Sequence, residues 1–204
     1  QLPRGGAGGG DHHVGPGQQG CEVGGRTGAS GCRDRCTGAE AGLDGPARRL
    51  IVTHFHPDHL GLASWLMNET GAQLWMTTAE FLTAHAVWNE VGGHGARFMV
   101  EQFRQHGLDG ERLARFEKRG SGYRMAVPGL PDYYHRLKAG DAVAVDGRKW
   151  RVLIGHGHSP EHMALYCAEL GVVISGDMLL PKISTNISVF AATPEADSLG
   201  WFLV

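Results

Sequence analysis

Six consecutive residues, His54-Phe55-His56-Pro57-Asp58-His59, include four side chains able to bind a metal ion. They follow Leu50-Ile51-Val52-Thr53, a β-rich apolar run that reads as a buried strand. In extended backbone alternate side chains share a side, so His54 and His56 can both reach one cation. Pro57 cannot continue a ladder, so the chain turns there and Asp58 and His59 can face a second, neighbouring position. Imidazole with carboxylate suits zinc, iron or manganese. A polar surface turn accounts for one or two such residues, but poorly for four in six.

Two further clusters stand at the ends of strand-like runs, where sites gather in α/β proteins. Gly155-His156-Gly157-His158-Ser159-Pro160-Glu161-His162 follows a run ending at Ile154, and Ser175-Gly176-Asp177 follows Val172-Val173-Ile174. Taken alone, Asp177 reads as a helix cap or turn residue and His158 is ambiguous. Beside the first motif both read as ligands. His162 and His156 read as supports behind the ligands, although His156 shares strand side with His158 and stays open. His85, His94, His106 and His135 read as surface or pocket lining, and Ser159 as a turn or capping hydroxyl. No Ser-His-Asp or Cys-His arrangement competes with the metal chemistry.

The elements that must position these groups form an ordinary α/β pattern from Arg48 onward. Helical character runs from Leu60 to Asn68 and stops at Gly71, a strand follows over Gln73 to Thr77, and Thr78-Ala79-Glu80 opens another helix. Helices are expected at 96–106 and 109–119. The piece around Tyr123, Tyr133 and Tyr134, broken by Pro128 and Pro131, reads as a loop. Ala142 to Val145 and Trp150 to Ile154 form a hairpin across Asp146-Gly147, a strong tight-turn signal. Strands are expected over Met163 to Cys167 and Val172 to Ser175, with a last helix starting at Pro194-Glu195.

The opening stretch is of a different kind. Of 32 glycines in 204 residues, 15 fall in the first 50, and the first aromatic residue is Phe55. Such a segment buries too little apolar surface to offset its ordering entropy, so disorder is expected. Cys32 and Cys36, with Cys21 nearby, offer a weak metal-knuckle spacing without a second pair, and Cys167 reads as a core residue. A net charge of −2 and the lack of a basic run argue against nucleic-acid and anionic-membrane partners. No apolar run approaches the ~18 residues of a spanning helix, and a soluble, cytoplasmic protein is the expectation.

The three motifs together, H-x-H-x-D-H, G-H-S-P-E-H about a hundred residues later and then S-G-D, resemble the metallo-β-lactamase-fold hydrolases. The likeness is to the broad group that contains the glyoxalase II-like enzymes, and it covers residues 48–204. It implies an α/β (α+β) architecture, the αββα sandwich, with a metal pair at one edge of its two sheets. It also implies His54, His56 and His158 on the first metal, Asp58 and His59 on the second, and Asp177 as the bridging carboxylate. Two zinc ions per chain are expected, with iron or manganese as alternatives. Asp58 takes a second, catalytic role in orienting the nucleophile or accepting its proton.

The sequence also departs from that pattern. Family members carry several strands before the first motif, usually with an Asp-Thr-Gly segment, and a last ligand His well after the bridging Asp. Residues 1–47 hold no such segment, and none of the 27 residues after Asp177 is His. The expectation is a partial domain over 48–204, lacking N-terminal strands and a C-terminal part. Before it lies a Gly-rich segment, 1–47, either disordered or an artefact of a shifted frame or gene-model error. The resemblance implies a hydrolase that uses metal-bound hydroxide on a small-molecule ester, thioester or lactone. A mononuclear-iron oxygenase of the persulfide dioxygenase type and a non-catalytic metal-binding fragment stay open, as does oligomerisation.

Overall fold

A computed structural model describes residues 47–120 and 122–204. The expectations for Cys21, Cys32, Cys36 and the Gly-rich segment lie outside them. Two sheets and a set of helices make up the described part. Strands β1 (Arg49–Ile51), β2 (Gln73–Thr77) and β3 (His135–Leu137) form a parallel sheet in the order β1-β2-β3. Strands β4 (Ala142–Val145), β5 (Arg148–Gly155), β6 (His162–Cys167) and β7 (Val172–Ile174) form an antiparallel sheet in chain order. The helices are α1 (Pro57–Leu60), α2 (Ala63–Thr70), α3 (Thr78–Trp88), α4 (Ala96–Gln105), α5 (Gly110–Arg119), α6 (Tyr123–Ala126) and α7 (Ser198–Phe202).

Alternation along β2 decides the layering. Leu74 and Met76 are buried toward the helices, in a core with Val52, Phe55, Leu60, Ala84, Tyr123 and Val127. Trp75 points the other way, into a second core of Leu137, Val143, Val152, Met163 and Leu165 between the sheets. Helix layer, parallel sheet and antiparallel sheet are thus stacked in that order. At one end the sheets are stitched together by Met163 N–H donating to Thr53 O at 2.9 Å. That stitch sets the strand ends carrying the first and second motifs side by side. Among the described residues β1 pairs only with β2, and β7 is an edge whose Val172, Val173 and Ile174 are exposed.

Most expected elements are found, each with a local cause. Pro57 stands at the first position of α1, where its missing N–H costs nothing. Gly71, in the left-handed region, ends α2 with its N–H on Met67 O. Asp146 and Gly147 both take positive φ, as a two-residue hairpin turn needs. Three expectations need correction, and β3 was not expected. The helix read from Leu60 to Asn68 is two, α1 ending at Leu60 and α2 running from Ala63 to Thr70 beyond a turn at Gly61-Leu62. Tyr123 begins a short helix rather than lying in a loop, and His135–Leu137 is a strand whose cause is its partner β2. The last helix starts at Ser198, not Pro194, because Asp197 accepts the Gly200 N–H at 2.9 Å and caps it there. Cys167 is a fully buried free thiol, and no helix of the described residues is long and apolar enough to cross a membrane.

Candidate metal centre

The end of β1 runs into a segment whose backbone is gripped on both sides. Phe55 lies between His54 and His56; its N–H donates to Glu80 Oε2 at 2.9 Å, and its carbonyl accepts the Tyr123 hydroxyl at 2.6 Å. Glu80, on the first turn of α3, is fully buried and takes two more donors with Oε1, the Ser159 hydroxyl and the Glu161 N–H, both at 2.7 Å. One carboxylate therefore holds the loop of His54 and His56 against the loop of His158. Burial raises the Glu80 carboxyl above its ordinary value, opposed by these three hydrogen bonds. Ser159 is thus more than a turn hydroxyl.

Three imidazoles converge between these loops. His56 Nδ1 lies 3.0 Å from His158 Nε2, and His54 Nε2 lies 3.2 Å from the same atom. The far sides of the two buried rings are braced. His158 Nδ1 lies 2.8 Å from the Asn186 carbonyl; a carbonyl only accepts, so the proton sits on Nδ1 and Nε2 presents a lone pair. His54 Nδ1 lies 2.9 Å from Thr53 Oγ1. These separations are slightly shorter than the roughly 3.3–3.4 Å edges of a tetrahedron with bonds of about 2.0–2.1 Å. His54 is pushed far below the ordinary histidine value, first by burial and then by His56 and its other histidine neighbours. His56 falls to about 4, by burial and then by His158. Both rings are therefore neutral at pH 7, as ligation requires.

A second group shares His54. His59 Nε2 lies 3.2 Å from Asp177 Oδ1, while Asp177 Oδ2 points back to His158 Nε2 at 3.5 Å. The two oxygens of Asp177 therefore face the two groups. Behind them His162 stacks on His54 with ring centroids 4.6 Å apart, and its Nε2 accepts the Asp177 N–H at 3.1 Å. Gly176 is required there: it takes positive φ, and a Cβ would sit 2.6 Å from His162 Cε1.

The remaining candidates fall outside the two groups. Asp58 is three-quarters exposed, with Oδ2 3.7 Å from His59 Nε2, and belongs to neither. His156 is exposed and bonds the Pro160 carbonyl through Nδ1 at 2.7 Å. His85 lies 3.2 Å from the Pro131 carbonyl and His135 stacks on Trp75, both away from the centre. His106 is exposed, and His94 lines a cavity beside His56. Sequence reading missed Thr53, Glu80, Tyr123 and Asn186. Glu80 carried no distinguishing signal, since an acid in a first helical turn already has an ordinary dipole explanation.

Each of the two groups could hold a metal ion, with N-rich donors on the buried side and mixed N/O donors on the open side. The metallo-beta-lactamase superfamily model matches residues 38–200. The chain belongs to that superfamily. A beta-lactamase domain protein from Burkholderia ambifaria is 43% identical with a TM-score of 0.68, covering 80% of this chain and 45% of its own. A metallo-beta-lactamase family protein from Thermus thermophilus is 32% identical with a TM-score of 0.62, over 81% of this chain and 52% of its own. This superfamily member thus spans about half the length of those two relatives. A third protein, solved in a di-iron-bound form, is 24% identical with a TM-score of 0.50 and shares the fold.

Proposed function

We propose that the chain carries the metal centre of a hydrolase acting on a small ester, thioester or lactone. The observation that carries this reading is the convergence of His54, His56 and His158, with Asp177 turning one oxygen toward them and one toward His59. The donor set suits zinc, with iron and manganese as the other candidates. A divalent pair, when bound, lowers the pKa of water toward ~7 and polarises a carbonyl. The chain's own residues do the rest. His54, His56 and His158 would hold the inner cation, His59 the outer one, and Asp177 would join them. Asp58, at the open rim, is free to orient the attacking water and to accept its proton on a carboxylate oxygen. Thr53 and Asn186 fix the His54 and His158 rings, and Glu80 fixes the separation of the two loops.

The test is metal content per chain by elemental mass spectrometry, followed by thioester and lactone hydrolysis assays. Close to two zinc ions with turnover of either class is the expected result. One iron per chain with sulfur oxygenation would replace this reading with the oxygenase. Metal retained by the three histidines without turnover would reduce the chain to a binding fragment.

A further inference from the structure

Beside the metal centre a cavity of about 480 Å³ opens between α3, α4 and the segment 186–191, with His56 and Pro57 in its wall. The volume is in the range of small-molecule sites. Its larger side chains are mostly apolar: Phe55, Val87, Met99, Phe103 and Phe190. Among the described residues no Asp, Glu, Lys or Arg lines it. Burial lowers the His94 pKa and so disfavours a charge there, and the Tyr123 hydroxyl is committed to the Phe55 carbonyl.

The outer wall is tied to the centre. Asn186 gives its carbonyl to His158 Nδ1, Ser188 N–H donates to the Gly157 carbonyl at 3.0 Å, and Gln102 donates to the Val189 carbonyl at 3.3 Å. Polar groups of this wall are thus used within the protein, and hydrocarbon is left to meet a ligand. A charged chain entering here would lose hydration and meet no counter-charge.

We propose that this cavity receives the acyl group of the substrate, and that this group is uncharged and apolar, an alkyl or aryl chain of several carbons. The proposal rests on the hydrolase reading, which puts the reacting carbonyl beside His56. Met99 on α4 and Val87 on α3 then limit the length of chain accepted, because they line the space from two different helices. Small acetyl substrates would leave the cavity unfilled, and acyl chains ending in a carboxylate would be rejected.

Alkyl hydroxamates test this on the zinc-loaded chain, since the head group reports the metal and the tail reports the cavity. Isothermal titration should show binding tightening about fourfold per methylene from aceto- to hexanohydroxamate, the fold-change that corresponds to ~0.8 kcal/mol per buried CH₂. A chain of similar length ending in carboxylate should bind no better than acetohydroxamate. Met99→Trp and, from the other wall, Val87→Trp should each flatten the series to within twofold. A flat series in the parent chain, or a steep one surviving in both folded variants, overturns the proposal while leaving the metal reading intact. In parallel, 1-hexanol binding to the metal-free chain is followed by ligand-observed NMR. Hexanol bound by the parent and lost in the variants, with no hydroxamate bound, overturns the hydrolase reading and with it the acyl assignment.

Discussion

The two halves of the candidate metal centre are built differently. The inner group, His54, His56 and His158, is largely buried, and the backbone of Phe55 beside it is clamped by Glu80 and Tyr123. The outer side reaches solvent: the His59 and Asp177 side chains are about one-quarter exposed, and Asp58, next to them but outside both groups, is three-quarters exposed. Thr53 Oγ1 is 2.9 Å from His54 Nδ1 but 3.4 Å from His59 Nδ1, so the same hydroxyl braces the inner ring better. Preorganised donors lose little freedom on binding, whereas exposed ones must be ordered by the ion itself. The inner group should therefore hold its cation more tightly.

Substitutions that break this asymmetry differ in size. His54 is an inner ligand that also stands beside His59 and Asp177, so His54→Ala should cost the inner cation and loosen the outer one, taking elemental analysis from near two equivalents to one or fewer. Asp177→Asn should cost the outer cation and leave about one equivalent on the three histidines; loss of both would make the carboxylate, not the histidines, the organiser. Glu80→Gln places an amide where three donors meet. Inner-site affinity should fall ~10–100-fold in a competitive chelator titration, the usual effect of losing an orienting partner. An unchanged affinity with a lower melting temperature would make Glu80 structural only.

Acid sharpens the comparison in the metal-free chain. Burial depresses His54 strongly and brings His56 and His162 to about 4, whereas an unfolded histidine titrates near 6.5. Between those values the unfolded chain binds more protons, so stability must rise with pH through this window. In chelator, the melting temperature should fall steadily from pH 7 to pH 4.5, and His162→Gln should shallow the slope. The smallest effect on metal content belongs to Asp58→Asn: near two equivalents retained but turnover reduced, as expected of a proton acceptor at the rim. Loss of the outer cation would instead make Asp58 a ligand.

The motif residues were legible because ligand chemistry tolerates few side-chain types, and the strand before them because a run such as Leu50-Ile51-Val52 has few other uses. The β4–β5 hairpin was equally legible, since Asp146-Gly147 meets the backbone demand of its turn locally. β3 was not: His135–Leu137 is too short for a pattern and exists through pairing with β2. The supports of the site were hidden for a similar reason. Glu80 is 25 positions from Phe55 and 79 from Ser159, so nothing in its neighbourhood announces three distant donors.

The sequence by itself therefore determined which atoms could bind a metal, that they follow strand ends, and the superfamily to which they belong. Tertiary structure decided how they are divided: His54 shared between two groups, Asp177 facing both, and Asp58 left at the rim. It also decided that an apolar cavity adjoins His56. Ligand identity is a local chemical property written in each side chain. Convergence and burial depend on contacts between loops about a hundred residues apart, and those exist only once the two sheets have stacked.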